Sequence, residues 1–276
     1  MRFPVRSVVL SLALVGVGAA DLFAADPPYV GTWKLNPAKS NFGETTVTYE
    51  QLAGGQMKLT ADGQSYTFQT DGKDYPTPWG NTAGWKALDA STWAVTNKAN
   101  AKVVYTGTLK LAADGKTLTV DGKNIKANGE TSDDVAVYER LSGGPGLAGK
   151  WKTKNLKIGA PGTMSISPSG TDGLTLTFVE EKGTCSAKFD GKDYPASGPT
   201  WPPGWMCAIA RNGATALDLT WKRDGKVMFK ETLTPSADGT TLTDVSGAPS
   251  TTEKGSAVYD HQSRVTRWSA RKAAAR

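Results

Sequence analysis

From residue 46 onward the chain alternates. Thr46 to Glu50, Ser65 to Thr70, Lys102 to Leu111 and Leu174 to Val179 place apolar residues at every second position, with Thr, Lys or another polar residue between them. Val, Thr, Tyr and Phe dominate these runs. A period of two with β-branched and aromatic residues is the pattern of strands that bury one face. Asp-Gly pairs at 62, 71, 114, 121, 172, 190, 224 and 238 punctuate the chain, several of them directly between alternating runs. Each can supply the positive φ angles that a tight hairpin requires. No segment of the body carries an amphipathic helical pattern, so the expected fold is all-β.

The pattern also repeats. Gly31-Thr-Trp33-Lys34 returns as Gly149-Lys-Trp151-Lys152, and Asp71-Gly-Lys-Asp-Tyr-Pro76 returns unchanged as Asp190-Gly-Lys-Asp-Tyr-Pro195. Gly84-Trp85 is matched to Gly204-Trp205, Lys102-Val-Val-Tyr105 to Lys226-Val-Met-Phe229, and Ala136-Val-Tyr138 to Ala257-Val-Tyr259. Ordered matches at a steady offset mean one duplicated module of about 115 residues, a domain-sized unit. The expected organisation is module one over 26–141 and module two over 149–262, joined by the Gly/Pro-rich stretch Ser142 to Gly146. About eight strands per copy, joined by hairpins, form an up-and-down meander that closes into a barrel or a sandwich. The two copies could instead share one larger β-structure.

Outside the modules lie two distinct ends. Arg2 and Arg6 precede an uncharged, small and apolar run from Ser7 to Ala20. This is the pattern of a signal peptide within residues 1–25, with cleavage expected after Gly18-Ala19-Ala20 or after Ala24-Ala25. At about 14 residues the apolar run is short for a bilayer, which takes about 20, and no later segment is apolar enough to cross. A periplasmic or secreted location follows. The last fourteen residues, 263–276, are basic and Ala-rich; they read either as a disordered end or as a contact for anionic lipid or polymer.

These ends carry the charge. Of 32 basic and 26 acidic residues, the leader holds two basic and one acidic, and the tail holds five basic. The body therefore carries 25 of each. A neutral body argues against nucleic acid as a partner.

Gly-x-Trp opens each copy as the chain enters its first strand. Gly31 and Gly149 permit a tight entry, and Trp33 and Trp151 can plug the closed end of a small barrel. On these residues the module resembles the lipocalin-like and avidin-like (calycin) barrels. The stretch from Gly31 to Ser40 is similar to that of uncharacterised bacterial exported proteins of lipocalin-like type. The resemblance implies two tandem antiparallel barrels, each of about eight strands, that hold small ligands inside. Lipocalins pack an Arg on that Trp late in the barrel. Copy one has Arg140 there; copy two has Asp260-His261-Gln262, with Arg264 only further on. The polar and Trp set of an avidin pocket does not map onto this sequence, so biotin binding is not implied.

Candidate ligand-binding residues come from the repeated string and the loops after it. Lys73 and Tyr75, with Lys192 and Tyr194, could stand at a barrel mouth. The bland alternative is a hairpin turn with its Lys in water and its Tyr returning to the core. Trp79 and Trp85, with Trp201 and Trp205, lie in Gly/Pro-rich stretches and could form an aromatic lid, or pack as caps of their own barrels.

Cys185 and Cys207 are the only cysteines. In an exported protein they are expected to form a disulfide, replacing a contact between their counterparts Tyr66 and Ala87 in copy one. There is no Cys-x-x-Cys, no phosphate loop, no Gly-x-Ser-x-Gly and one histidine, His261. No metal site, cofactor or catalytic constellation is expected. The acids, including Glu180-Glu181 and Asp133-Asp134, read as solvated edges. Three functions stay open: a carrier of a small apolar or amphipathic ligand, an envelope structural or interaction protein with filled barrels, and an enzyme acting on a lipid or sugar. The oligomeric state is not readable.

Overall fold

The computed structural model describes residues 26–249 and 254–262. The signal segment within 1–25 and the basic tail over 263–276 lie outside them. The described chain is all-β apart from one short 3-10 turn, and its strands form two ten-stranded antiparallel barrels. Barrel one contains β2 (Thr46–Gln51), β3 (Met57–Ala61), β4 (Gln64–Phe68), β5 (Asp71–Pro76), β6 (Thr82–Ala87), β7 (Thr92–Ala99), β8 (Lys102–Leu111), β9 (Thr117–Ile125) and β10 (Thr131–Ser142). Barrel two contains β12 (Thr163–Ser169), β13 (Gly173–Phe178), β14 (Gly183–Lys188), β15 (Tyr194–Ser197), β16 (Trp205–Asn212), β17 (Ala216–Arg223), β18 (Lys226–Pro235), β19 (Thr241–Gly247) and β20 (Gly255–His261). The strand count is ten rather than eight. The repeated Asp-Gly-Lys-Asp-Tyr-Pro string, readable as a turn, contributes β5 in barrel one and the start of β15 in barrel two.

The tenth strand of each barrel comes from the other copy. The Gly-x-Trp strand β1 (Gly31–Leu35) pairs with β12 and β20, closing barrel two. Its counterpart β11 (Gly149–Lys157) pairs with β10 and β2 in barrel one. The repeat boundaries 26–141 and 149–262 therefore mark the duplication but not the barrels, which exchange their first strands. The cores agree: Tyr29 and Trp33 are buried with barrel two, Leu147 and Trp151 with barrel one.

The cause lies in the connection between the copies. Six residues separate β10 from β11, enough for a hairpin. Closing this short loop costs little entropy, and it places β11 beside β10, where β1 would otherwise pair. Segments 36–45 and 158–162 then carry the chain from one barrel to the other.

Arg140 secures the hairpin. Its guanidinium lies 4.1 Å over the Trp151 ring. Nε donates to Gly115 O at 2.6 Å; Nη1 donates to Gly144 O at 2.7 Å and Ala148 O at 2.6 Å; Nη2 donates to Gly146 O at 2.6 Å. In barrel two His261 takes this place, its ring 4.7 Å from that of Trp33 and edge-on to it. Both indoles are fully buried and donate to the carbonyl four residues back, Trp33 to Tyr29 at 2.9 Å and Trp151 to Leu147 at 3.0 Å. The glycines of Gly-x-Trp make room for these neighbours. A Cβ on Gly31 would stand 2.6 Å from His261 Nε2, and one on Gly149 2.8 Å from Arg140 Nη1.

The barrels differ at one seam. In barrel two β14 pairs with β15, and the Cys185–Cys207 disulfide spans from β14 to β16 across it, with Cα atoms 6.5 Å apart. Closing the 22-residue separation stabilises by roughly 3 kcal/mol in the chain-entropy model. In barrel one β4 and β5 are the two ends of the sheet, so that barrel is nearly closed. Tyr66, at the place of Cys185, instead accepts a 3.0 Å hydrogen bond from Trp85 Nε1.

Replacing Arg140 by Ala strands three loop carbonyls and uncovers Trp151. We expect the urea midpoint to fall by the equivalent of about 2–4 kcal/mol, with His261→Ala costing about 1 kcal/mol. An unchanged midpoint for Arg140→Ala would show that this residue does not lock the hairpin.

Candidate functional site

Because the chain crosses between barrels twice, one end of each barrel faces the other. Contacts across this junction are specific. Arg223 Nη1 donates to Pro78 O at 2.9 Å, Asn100 Nδ2 to Trp201 O at 3.0 Å, and Lys126 Nζ to Ala160 O at 3.1 Å. Gly80, with φ +89°, sits where a Cβ would strike the Arg223 guanidinium at 2.4 Å.

Three cavities lie at the junction, of about 390, 440 and 610 Å³, and a fourth of about 360 Å³ occupies the interior of barrel one. These sizes fall in the range of small-molecule sites. Trp79 lines the 610, 440 and 360 Å³ cavities, and Phe229 and Glu231 line the 610 and 440 Å³ ones.

The 440 Å³ cavity is the aromatic one. Trp79 reaches it from barrel one; Phe178, Trp201, Trp205, Trp221 and Phe229 surround it from barrel two. Their rings form one connected cluster: Phe178–Trp201 at 5.2 Å, Trp201–Trp221 at 5.9 Å, Trp221–Phe229 at 6.0 Å and Trp205–Phe229 at 5.8 Å between centroids. Trp201 is seated where its loop crosses β14, and a Cβ on Gly183 would come within 2.6 Å of its indole.

The sequence-derived candidates divide. Trp79, Trp201 and Trp205 meet at this cavity. Trp85 does not. It is 3 % exposed, stacks on Phe68 at 4.6 Å, and lines the barrel-one interior. Pairing register explains the difference: Cys207 pairs with Trp221 as Ala83 pairs with Asn97, so Trp85 corresponds to Ile209, and Cys207 to Ala83 rather than Ala87.

Lys73, Tyr75, Lys192 and Tyr194 line none of the described cavities. The turns that carry Lys73 and Lys192 lie at the barrel ends away from the junction. Asp71 and Asp190 there accept the backbone N–H groups of Lys73 and Lys192 at 3.0 and 3.1 Å, and both lysines are exposed.

Sequence reasoning missed the acids. Glu180 is no solvated edge: it is 8 % exposed and accepts from Thr163 N at 2.7 Å, Thr163 Oγ1 at 2.8 Å and Lys34 Nζ at 3.3 Å. Glu231 and Asp244 point into barrel two. Glu231 follows Phe229 and precedes Leu233 on the inward face of β18, and Asp244 lies between Leu242 and Ser246 on that of β19. That inward phase was the available signal.

Glu231 Oε2 accepts a 2.8 Å bond from Trp221 Nε1, while Asp244 Oδ1 is buried without a partner. Burial pushes both carboxyls well above the ordinary range, and the charge of Glu231 pushes Asp244 further. Barrel one has Gly107 and Val120 at the corresponding positions, and the Tyr105 ring fills the space over Gly107 and Gly122. Burial raises the Tyr105 and Tyr66 phenols to about 12, so they stay neutral donors.

Among the described residues no group of three or more His, Cys, Asp or Glu is placed to hold a metal, and no helix is long and apolar enough to cross a membrane. No protein-family model matches the chain, and no curated protein or solved structure matches it.

The raised carboxyls set a pH dependence. Glu231 and Asp244 hold protons more tightly folded than unfolded, so their contribution is full below the ordinary carboxylate range and is lost as pH rises towards neutrality and above. Glu181, also raised by burial, acts in the same direction. The exposed Asp71, Asp89, Asp190 and Asp238 are held low by backbone N–H or Ser hydroxyl donors and titrate below this window. The thermal midpoint should fall by several degrees from about pH 5.5 to about pH 8.5, and Asp244→Asn should flatten most of that slope. A wild-type midpoint that is level or rises over this interval contradicts the assignment.

Proposed function

We propose that this is an exported, lipocalin-like carrier that binds one small apolar or amphipathic ligand between its two barrel mouths. The observation that carries the reading is the 440 Å³ aromatic cavity to which Trp79 of one barrel and Trp201 and Trp205 of the other contribute together. Burying about 200 Å² of apolar ligand surface is worth about 5 kcal/mol before the costs of association, so carrier-like affinity needs no further chemistry. Export is supported by the leader-like N-terminus and by the Cys185–Cys207 disulfide.

Native mass spectrometry of the protein recovered from the periplasm tests this reading. Excess mass that is lost on denaturation is the expected result, and Trp79→Ala and Trp201→Ala should each reduce ligand occupancy, with affinity falling about fivefold or more. A native mass equal to the denatured mass, persisting after exposure to lipid and metabolite extracts, would replace the carrier with an envelope structural protein whose barrels serve as packed supports.

A further inference from the structure

We propose that the ligand of the junction cavity is an organic cation: an amine-bearing molecule with an apolar body, its ammonium held over Glu231 and Asp244 inside the aromatic ring of Trp79, Trp201, Trp205 and Trp221. This rests on the carrier reading above and adds the chemical class.

Three observations lead to it. The first is charge without compensation. Glu180, a buried glutamate, is matched by Lys34 and by two donors of Thr163. Glu231 and Asp244 form no ion pair among the described residues; the indole N–H of Trp221 donates to Glu231, and Asp244 Oδ1 has no donor. Two carboxyls sharing a buried site cannot both ionise without a positive partner.

The second is the unmet acceptor. Asp244 is 8 % exposed and its Oδ1 has no hydrogen bond. It stands on the inward face of β19, two residues from Ser246, and Ser246 lines the 610 Å³ junction cavity, whose wall shares Glu231 with the aromatic cavity. An ammonium N–H entering from the cavity supplies the donor that the protein itself does not.

The third is the wall. Aromatic rings attract a cation by their quadrupole, most strongly when water is excluded, and rings grouped around a carboxylate are the recognised way to hold an alkylammonium. Copy one supports the specificity of the arrangement. Gly107 and Val120 replace the two acids, Asn97 replaces Trp221, and Tyr105 fills the space. The duplication thus places the acid pair and its indole together in one barrel only.

The test compares three probes of equal chain length, decylamine, decan-1-ol and decanoate, each titrated below its micelle concentration and followed by tryptophan fluorescence. The amine should bind at least about tenfold tighter than the alcohol, a difference of about 1.4 kcal/mol, and decanoate should bind more weakly than either. Glu231→Gln should bring the amine to within about twofold of the alcohol while leaving alcohol binding intact, which also shows that the variant is folded. Asp244→Asn should act in the same direction.

Equal binding of amine and alcohol, or an amine affinity unchanged in Glu231→Gln, overturns the cation assignment and leaves an apolar carrier. Binding of none of the three, with Trp201→Ala equally silent, overturns the carrier reading along with it.

Discussion

The hairpin between the two copies constrains everything else in this molecule. Six residues join β10 to β11, and Arg140 ties that loop down with bonds to Gly144, Ala148 and Gly146 while covering Trp151. Once β11 is held beside β10, barrel one has its Gly-x-Trp strand and no place remains for β1. That strand completes barrel two instead, where His261 covers Trp33. The exchange makes each barrel depend on both copies and sends the chain across the junction at 36–45 and at 158–162. Facing mouths are a consequence of those crossings, and the junction cavities are a consequence of the facing mouths.

Much of the frame was legible in the residues. Alternation gave strands, the matched strings gave the duplication, and Gly-x-Trp marked the strand at which each barrel is plugged. The Arg expected to lie on the Trp is present as Arg140, but the Trp it covers is Trp151 of the other copy. Local pattern could not reveal this, because Trp33 and Trp151 carry the same signature and either fits either barrel. Connector length does not decide it either, since six residues make the β10–β11 hairpin while five, 158–162, carry the chain between barrels; what marks the joint as a hairpin is Arg140, which ties down the loop carbonyls of Gly144, Gly146 and Ala148.

The site was legible in part. Trp79, Trp201 and Trp205 stood out by their place in irregular loops. Trp85 was misplaced because its neighbouring Gly-Trp string resembles that of Trp205, whereas the strand register is the one already visible in Lys102-Val-Val-Tyr105 and Lys226-Val-Met-Phe229. Glu231 and Asp244 were hidden for another reason. Acids in a β-protein usually mark turns and edges, and only their phase between Phe229 and Leu233, or between Leu242 and Ser246, reveals that they point inward. After duplication the two copies kept the same strands and the same end plug, while the interior positions that do not specify the fold diverged: glycine under a tyrosine in one barrel, paired acids under indoles in the other.

Strand exchange is the central claim, and backbone proton NOEs test it most directly. Close contacts linking Thr32 and Trp33 to Ser165 and Met164 are expected from the observed register, together with contacts linking Trp151 to Val47. Contacts linking Trp33 to Val47, and Trp151 to Met164, would place each first strand in its own copy. That result would contradict both the shared barrels and the strand exchange as the origin of the cavity between them.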